Sequence, residues 1–243
     1  MEDRPILVIA AMEDAELNFL KDQLLSAKRI ENKICTFIEG EIFGKNVVLC
    51  ASNIGTINAA ASLTLAIEKY NPKAIINEGL AGGIGNKVHT GDIVVGLDVI
   101  NITSYESEKR KLGEGINEYN DLVSFIIGEE NHLVPQNANS KLIELAKKIS
   151  LSMEEKQVHF GRIGSGDVWN KEADKIMYLY EKYGILCEDM ELISIYTIAN
   201  KYNIPCISIK CISDNAILDE EYDRTTGMPA QEFTCRILSN YSA

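Results

Sequence analysis

Two short segments in the last quarter of the chain set carboxylates beside apolar sequence: Cys187-Glu188-Asp189-Met190-Glu191 and Lys210-Cys211-Ile212-Ser213-Asp214-Asn215. They read as two walls of one active site. Residues Ile204 to Ile212 run apolar like a buried strand, and Asp214 falls where such a strand should emerge into the ligand crevice of an α/β sheet. Cleaving a bond to a sugar carbon needs one carboxylic acid to protonate the leaving group and one carboxylate to activate water, with the sugar hydroxyls held between them. Three acidic positions can divide those roles. Asp214 would be the acid, Glu191 the acceptor for a vicinal ribose diol, and Glu16, one turn into the first helix, the base. An acid that donates near neutral pH needs a dry pocket, which the apolar strand before Asp214 could supply.

Each of these residues has a plainer reading. Asp189 and Glu191 fall at a predicted helix start, where acids suit caps and the helix dipole. Glu16 alone reads as a solvated helix residue, Asp214 with Asn215 as an Asx turn, and the single tryptophan, Trp169, as core. Spacing leaves both sets of readings open.

The elements that would position these groups follow from periodicity. Pro5 to Met12 reads as a strand, and Leu17, Leu20 and Leu24 recur at helical spacing after it. Residues from about Cys35 to Ala51 read as a hairpin around Gly44-Lys45, and Ser52 to Thr56 breaks the chain before an alanine-rich helix reaching about Tyr70. Ala74 to Asn77 is a short strand candidate ending in Gly79-Leu80-Ala81-Gly82-Gly83, and Asp92 to Ile102 is a long one. Ser104 to Asn139 is polar and reads as an insertion or lid, its charge run from Glu106 to Lys111 as a solvated face. A helix from Ser140 to Ser150, a strand from Gln157 to Ile163, the turn Gly164-Ser165-Gly166-Asp167 and a helix from about Lys171 to Tyr183 come next. Ile185 to Cys187 then reads as strand, Asp189 to Tyr202 as helix, Pro205 to Ile212 as strand, and a short helix closes the chain. Such alternation predicts an α/β sandwich with a central mixed sheet, in one domain spanning 1–243.

Composition narrows the partners. With 24 basic against 36 acidic residues, the net charge of -12 repels phosphate backbones and anionic membranes, so neither nucleic acid nor membrane is expected. The six cysteines are scattered in apolar runs without a C-x-x-C pair, as buried thiols in a reducing cytoplasm would be. His89, His132 and His159 form no zinc pattern, and no metal or cofactor is expected. The first apolar run is too short for a signal segment or a membrane span, which points to a cytoplasmic protein. No Walker phosphate loop, no G-x-G-x-x-G after the first strand and no G-x-S-x-G elbow is present, removing the main support for triphosphate, dinucleotide and serine-hydrolase readings.

Several segments, taken in order, resemble the nucleoside phosphorylase superfamily and, within it, the 5'-methylthioadenosine/S-adenosylhomocysteine nucleosidases. They are Ala11-Met12-Glu13, Ile54-Gly55, Gly79-x-Ala81-Gly82-Gly83, Gly91-Asp92-Ile93-Val94-Val95, Ser165-Gly166-Asp167, Asp189-Met190-Glu191 and Ile212-Ser213-Asp214. The resemblance spans nearly the whole chain and implies that family's three-layer sandwich and a homodimer in which a partner loop completes the 5' pocket. It further implies that Asp214 protonates adenine N7 with Ser213 orienting it, and that Glu191 accepts from the 2'- and 3'-hydroxyls while Met190 packs on the sugar. Trp169 would stack on the base, the backbone at Asn170 would read its edge, and Met12 would line the same pocket. The family's water-activating glutamate usually lies three residues after the methionine, where this chain has Ala15; Glu16 takes the role if one residue is inserted, with Glu13 as the fallback. Leu80 stands where a serine is usual and Lys210 where an arginine is usual, both still placed at the substrate. Family phosphorylases bring cations to the glycine-rich segment, where this chain has Asn77, Glu78 and Leu80, so water is the expected nucleophile. The rivals are a phosphorylase using Lys210 and Lys87, a futalosine-type nucleosidase, and a nucleoside-binding protein on the same fold.

Overall fold

The computed structural model describes residues 4–106, 109–114, 120–122, 126, 133–153 and 157–241. Twelve strands are described: β1 (Ile6–Ala10), β2 (Leu25–Glu31), β3 (Thr36–Ile42), β4 (Lys45–Ala51), β5 (Ala74–Gly83), β6 (Ile93–Asn101), β7 (Tyr105–Glu106), β8 (Asn120–Asp121), β9 (Gln136–Asn137), β10 (Val158–Ser165), β11 (Ile185–Asp189) and β12 (Cys206–Asp214). The described helices are α1 (Glu13–Glu16), α2 (Asn18–Gln23), α3 (Thr56–Tyr70), α4 (Ser140–Ser150), α5 (Ala173–Tyr183), α6 (Leu192–Lys201) and α7 (Met228–Asn240). Ten strands form one mixed sheet in the order β11-β10-β6-β12-β5-β1-β4-β3-β2, with β9 on β6, while β7 and β8 pair separately.

The central strands are apolar at consecutive positions because both faces are covered. In β1, Ile6, Val8 and Ala10 face one side with Leu20, Leu142 and Phe233 from α2, α4 and α7. Leu7 and Ile9 face the other, with Leu63 and Ala66 of α3 and Ile195 and Ala199 of α6. A third cluster packs Ile176 and Leu179 of α5 on Ile84, Ile100 and Ile185. This is the expected three-layer sandwich around a mixed sheet.

Three local expectations change. The glycine-rich segment after Asn77 is no loop: β5 continues through it to Gly83, pairing with β12 along its length and with β11 at Gly82 and Gly83. That last pairing closes β5, β12, β6, β10 and β11 into a ring of paired strands, which a side chain at Gly83 would oppose, since a methyl there would lie 2.8 Å from Asn215 Nδ2. The first helix breaks at Leu17 into two short pieces, and β2, absent from the sequence reading, follows directly. β2 is an edge strand exposed along almost its whole length, so neither face imposed an apolar period on it. The helix expected from Asp189 begins only at Leu192, because Asp189 is the last residue of β11. Of the expected lid from Ser104 to Asn139, residues 107, 108, 115–119, 123–125 and 127–132 lie outside the described residues, His132 among them.

Among the described residues, no helix is long and apolar enough to cross a membrane, and no group of His, Cys, Asp or Glu is disposed to hold a metal ion. The six cysteines are buried and form no disulfide.

Candidate active site

A cavity opens where the carboxyl ends of β1, β5, β11 and β12 converge, the place at which an open α/β sheet presents a crevice. β1 delivers Ala11 and Met12 to it, β5 Leu80, Ala81 and Gly82, β12 Ser213 and Asp214, and the end of β11 Glu188 to Glu191. Glu16 of α1, Ile54, Val168, Trp169 and Tyr222 complete the lining.

Asp214 is the final residue of β12 and is held by two donors. Ser213 Oγ donates to Oδ1 at 2.6 Å and to Ala81 O at 3.2 Å, while the indole Nε1 of Trp169 donates to Oδ2 at 3.3 Å. The Asx-turn alternative does not describe Asp214, whose carboxylate faces the cavity. Asn215 makes that turn instead, accepting from Ile217 N at 3.0 Å through Oδ1 and donating from Nδ2 to Gly85 O and Val88 O at 3.0 and 2.9 Å. Asn215 is wholly buried, and Asn215→Ala is therefore expected to cost about 1–3 kcal/mol in denaturant unfolding, since it strands the buried carbonyls of Gly85 and Val88 and the half-buried N–H of Ile217.

Trp169 is 49% exposed, not core. Its ring meets Tyr222 edge to face at 5.1 Å, with Lys171 Nζ 5.2 Å from its centroid on the rim of the cavity.

Glu16 is 3% exposed, so the solvated-helix alternative fails. Its Oε2 accepts from Met12 N at 2.6 Å and its Oε1 from Leu80 N at 2.8 Å, joining the ends of β1 and β5 through one carboxyl. Burial pushes its pKa up, opposed by the Lys210 charge and by the N–H groups of Leu80, Met12 and Ala11. Gly79 gives this carboxyl its room, because a methyl there would stand 2.7 Å from Oε1. Glu13, by contrast, faces a separate hollow, where it takes hydrogen bonds from Lys21 Nζ at 2.8 Å and Arg29 Nη1 at 2.7 Å.

Glu191 precedes α6 without capping it; its Oε1 instead accepts from Gly55 N at 2.7 Å. The turn at Gly55, whose φ is +102°, is pinned by Asp167, which accepts from Thr56 N at 2.7 Å and Thr56 Oγ1 at 2.6 Å. Ser165 Oγ accepts from Ile193 N at 3.0 Å. The Ser165-Gly166-Asp167 motif thus ties α3 and α6 to the sheet and sets Glu191 opposite Gly55. Burial pushes Glu191 up to about 7, with the Asp189 charge adding and Lys210 opposing. Asp189, for its part, does cap α6, accepting from Leu192 N at 3.1 Å.

Two expected ligand contacts take other places. Lys210 is 1% exposed and does not line the cavity; its Nζ pairs with Asp189 Oδ2 at 2.7 Å beneath the floor. Burial disfavours its charge, but Asp189, Glu191 and Glu16 together hold its pKa above the ordinary ammonium range. Lys210 therefore acts as the counter-ion of the carboxylate cluster. Asn170 also stands behind the wall, its backbone N donating to Glu188 Oε1 at 2.7 Å and its Nδ2 to Glu188 Oε2 at 2.5 Å.

Glu188 and Tyr222, to which no sequence pattern points, also line the cavity. Glu188 stood in plain view within the acidic segment; only burial distinguishes it from a solvated acid. Tyr222 lies in a stretch without regular structure and left no pattern to read.

A family model described as Phosphorylase superfamily matches residues 5–241. A 5'-methylthioadenosine/S-adenosylhomocysteine nucleosidase of Bacillus thuringiensis subsp. konkukian is 30% identical over 216 residues, 87% of this chain and 86% of the relative. Among solved structures, the nucleosidase of that name from Neisseria meningitidis, in complex with methylthio-immucillin-A, superposes with a TM-score of 0.80 at 24% identity, over 98% of this chain and 100% of that one. Futalosine hydrolase of Helicobacter pylori superposes with a TM-score of 0.77 at 17% identity, over 98% of this chain and 99% of that one. At those identities the two structures speak to the fold alone.

Proposed function

This chain belongs to the phosphorylase superfamily and, within it, to the 5'-methylthioadenosine/S-adenosylhomocysteine nucleosidase family of N-glycosyl hydrolases, and on that premise we propose that it hydrolyses 5'-methylthioadenosine and S-adenosylhomocysteine at the N-glycosidic bond, releasing adenine. Asp214 gives its proton to N7, so that the base departs neutral and the sugar is left as an oxocarbenium-like cation. Glu16 takes a proton from the water that adds to the anomeric carbon. Glu191 accepts from the 2'- and 3'-hydroxyls. Trp169 covers the base, and Met12, Leu80 and Met190 supply apolar walls that strengthen these charge interactions.

The observation that carries this reading is the charge of the cavity. Its described lining includes Glu16, Glu188, Asp189, Glu191 and Asp214 and no lysine, arginine or histidine. A phosphate dianion needs paired cations when desolvated. Lys210 is already matched by Asp189, and Lys87 lies 5.6 Å from the Tyr180 ring centroid, outside the lining. Glu78, in the segment where phosphorylases carry cations, is fully buried with neither carboxyl oxygen hydrogen-bonded, and burial plus the Glu16 charge push its pKa well above the usual range. Water remains as the nucleophile that this lining tolerates.

Release of free adenine from 5'-methylthioadenosine is expected at the same rate with and without phosphate, with free methylthioribose as the second product. Adenine only with phosphate would replace this reading with a phosphorylase. Binding without release in either would replace it with a nucleoside-binding protein. The chain acts as one domain and in the cytoplasm, as its length, its first apolar run and its scattered cysteines suggest, and as a homodimer, as the family resemblance implies; sedimentation of the same preparation checks the dimer.

A further inference from the structure

We propose that Glu188 reads the substituent at C6 of the purine, its carboxylate accepting a hydrogen bond from a 6-amino group and opposing a 6-oxo group, so that the site selects 6-aminopurine nucleosides. The inference rests on the nucleosidase reading above, in which Asp214 marks the position of N7. In a purine, the C6 substituent stands beside N7 on the same edge. The group that discriminates 6-amino from 6-oxo must therefore sit next to Asp214.

Glu188 is placed there by the sheet. Asp214 of β12 and Glu188 of β11 flank the same residue of β5, Gly82, one from each side. A methyl on Gly82 would stand 3.6 Å from Asp214 Oδ2 and 3.7 Å from Glu188 Cγ, so the missing side chain leaves a flat floor between the two carboxyls. Glu188 is 5% exposed and lines the cavity, whose described lining holds no lysine, arginine or histidine. Its orientation is fixed from behind by Asn170, which donates once to each oxygen. Each carboxyl oxygen can accept more than one hydrogen bond, so both remain available to a ligand.

The chemistry then discriminates. An ionised carboxylate only accepts, which suits an amino group and sets two acceptors together if the substituent is a carbonyl. Sites that leave buried polar groups mismatched in this way reject the wrong ligand strongly. Burial raises Glu188 to about 7, helped by the charge of Asp214 from β12 and opposed by the Asn170 hydrogen bonds and by Lys175 of α5. Its protonated form can donate to a 6-oxo group, so the preference for 6-amino should grow as pH rises through neutrality. Titration of Glu191 or Glu16 acts on both substrates alike and cancels in the ratio.

The test compares kcat/KM for 5'-methylthioadenosine and 5'-methylthioinosine in the wild-type chain and in Glu188→Gln. A carboxamide can turn its donor toward a carbonyl, so Glu188→Gln is expected to lower the amino-to-oxo ratio at least about tenfold and to remove its rise with pH. A ratio within about twofold of wild type, with the same pH dependence, would overturn the inference. Should Glu188→Gln fail to fold, Asn170→Ala keeps the backbone bond to Oε1 but removes the side-chain bond that orients Oε2, and the ratio must fall there too. If the wild-type chain cleaves neither nucleoside, the nucleosidase reading fails by itself. Titrations of free adenine and hypoxanthine, followed through the fluorescence of Trp169, the only tryptophan, then decide. An adenine preference lost in Glu188→Gln sustains the inference, and equal binding of the two bases refutes it.

Discussion

Asp214→Asn is expected to lower the rate of adenine release by about 10²- to 10⁴-fold while leaving nucleoside binding close to wild type. The asparagine keeps the shape at the end of β12 and can still accept from Ser213 Oγ, whose bond to Oδ1 is 2.6 Å, so the floor of the cavity should survive. What disappears is the proton. Without it the base must leave as an anion, and a loss of this size corresponds to roughly 3–5 kcal/mol of transition-state stabilisation. Single-turnover assays with 5'-methylthioadenosine separate the chemical step from binding. Turnover within a few fold of wild type would remove Asp214 from the mechanism, and loss of binding in equal measure would make it a binding group instead.

The second large effect is expected at Glu16. Glu16→Gln should lower turnover by about 10²- to 10³-fold, whereas Glu13→Gln should leave it near wild type. The contrast follows from where the two carboxyls point. Glu16 joins Met12 N and Leu80 N inside the cavity and is wrapped by the charges around Lys210. Glu13 is committed to Lys21 and Arg29 over a different hollow, and although partial burial opposes it, those hydrogen bonds hold its pKa below the usual carboxylate range. A glutamine at 16 places an amide donor against a backbone N–H, so some loss of stability, on the order of 1–3 kcal/mol, accompanies the kinetic loss. Thermal melting measured alongside kcat keeps the two apart. Activity that survives at Glu16→Gln and vanishes at Glu13→Gln would reverse the assignment.

Much of this arrangement was legible beforehand because it depends on local order. The apolar run before Asp214 and the alternation of strand and helix reflect burial on one or two faces, which periodicity records directly. The resemblance pointed to Glu16 over Glu13 through the downstream match at Leu17, Leu20 and Lys21-Asp22, and it is Glu16 that lines the cavity. Lys210 and Asn170 were misplaced for the opposite reason. Sequence gives a residue's strand and its neighbours, but whether a side chain ends in the cavity or beneath it depends on partners far along the chain. For Lys210 that partner is Asp189, and for Asn170 it is Glu188.

The sequence by itself determined the layered α/β architecture and the presence of carboxylates at the ends of β11 and β12, because each of these is a property of short segments. Only the tertiary structure decided which acids share one dry space. The run of β5 through its glycines to pair with both β12 and β11 brings Asp214 and Glu188 to opposite sides of Gly82. It also decided that Lys210 pairs with the cluster from below and that burial pushes the Glu78 pKa well above the usual carboxylate range. The physical reason is that the charge state and reach of a carboxyl are set by desolvation and by neighbours at a few ångströms, and those neighbours come from strands that only the folded sheet places together.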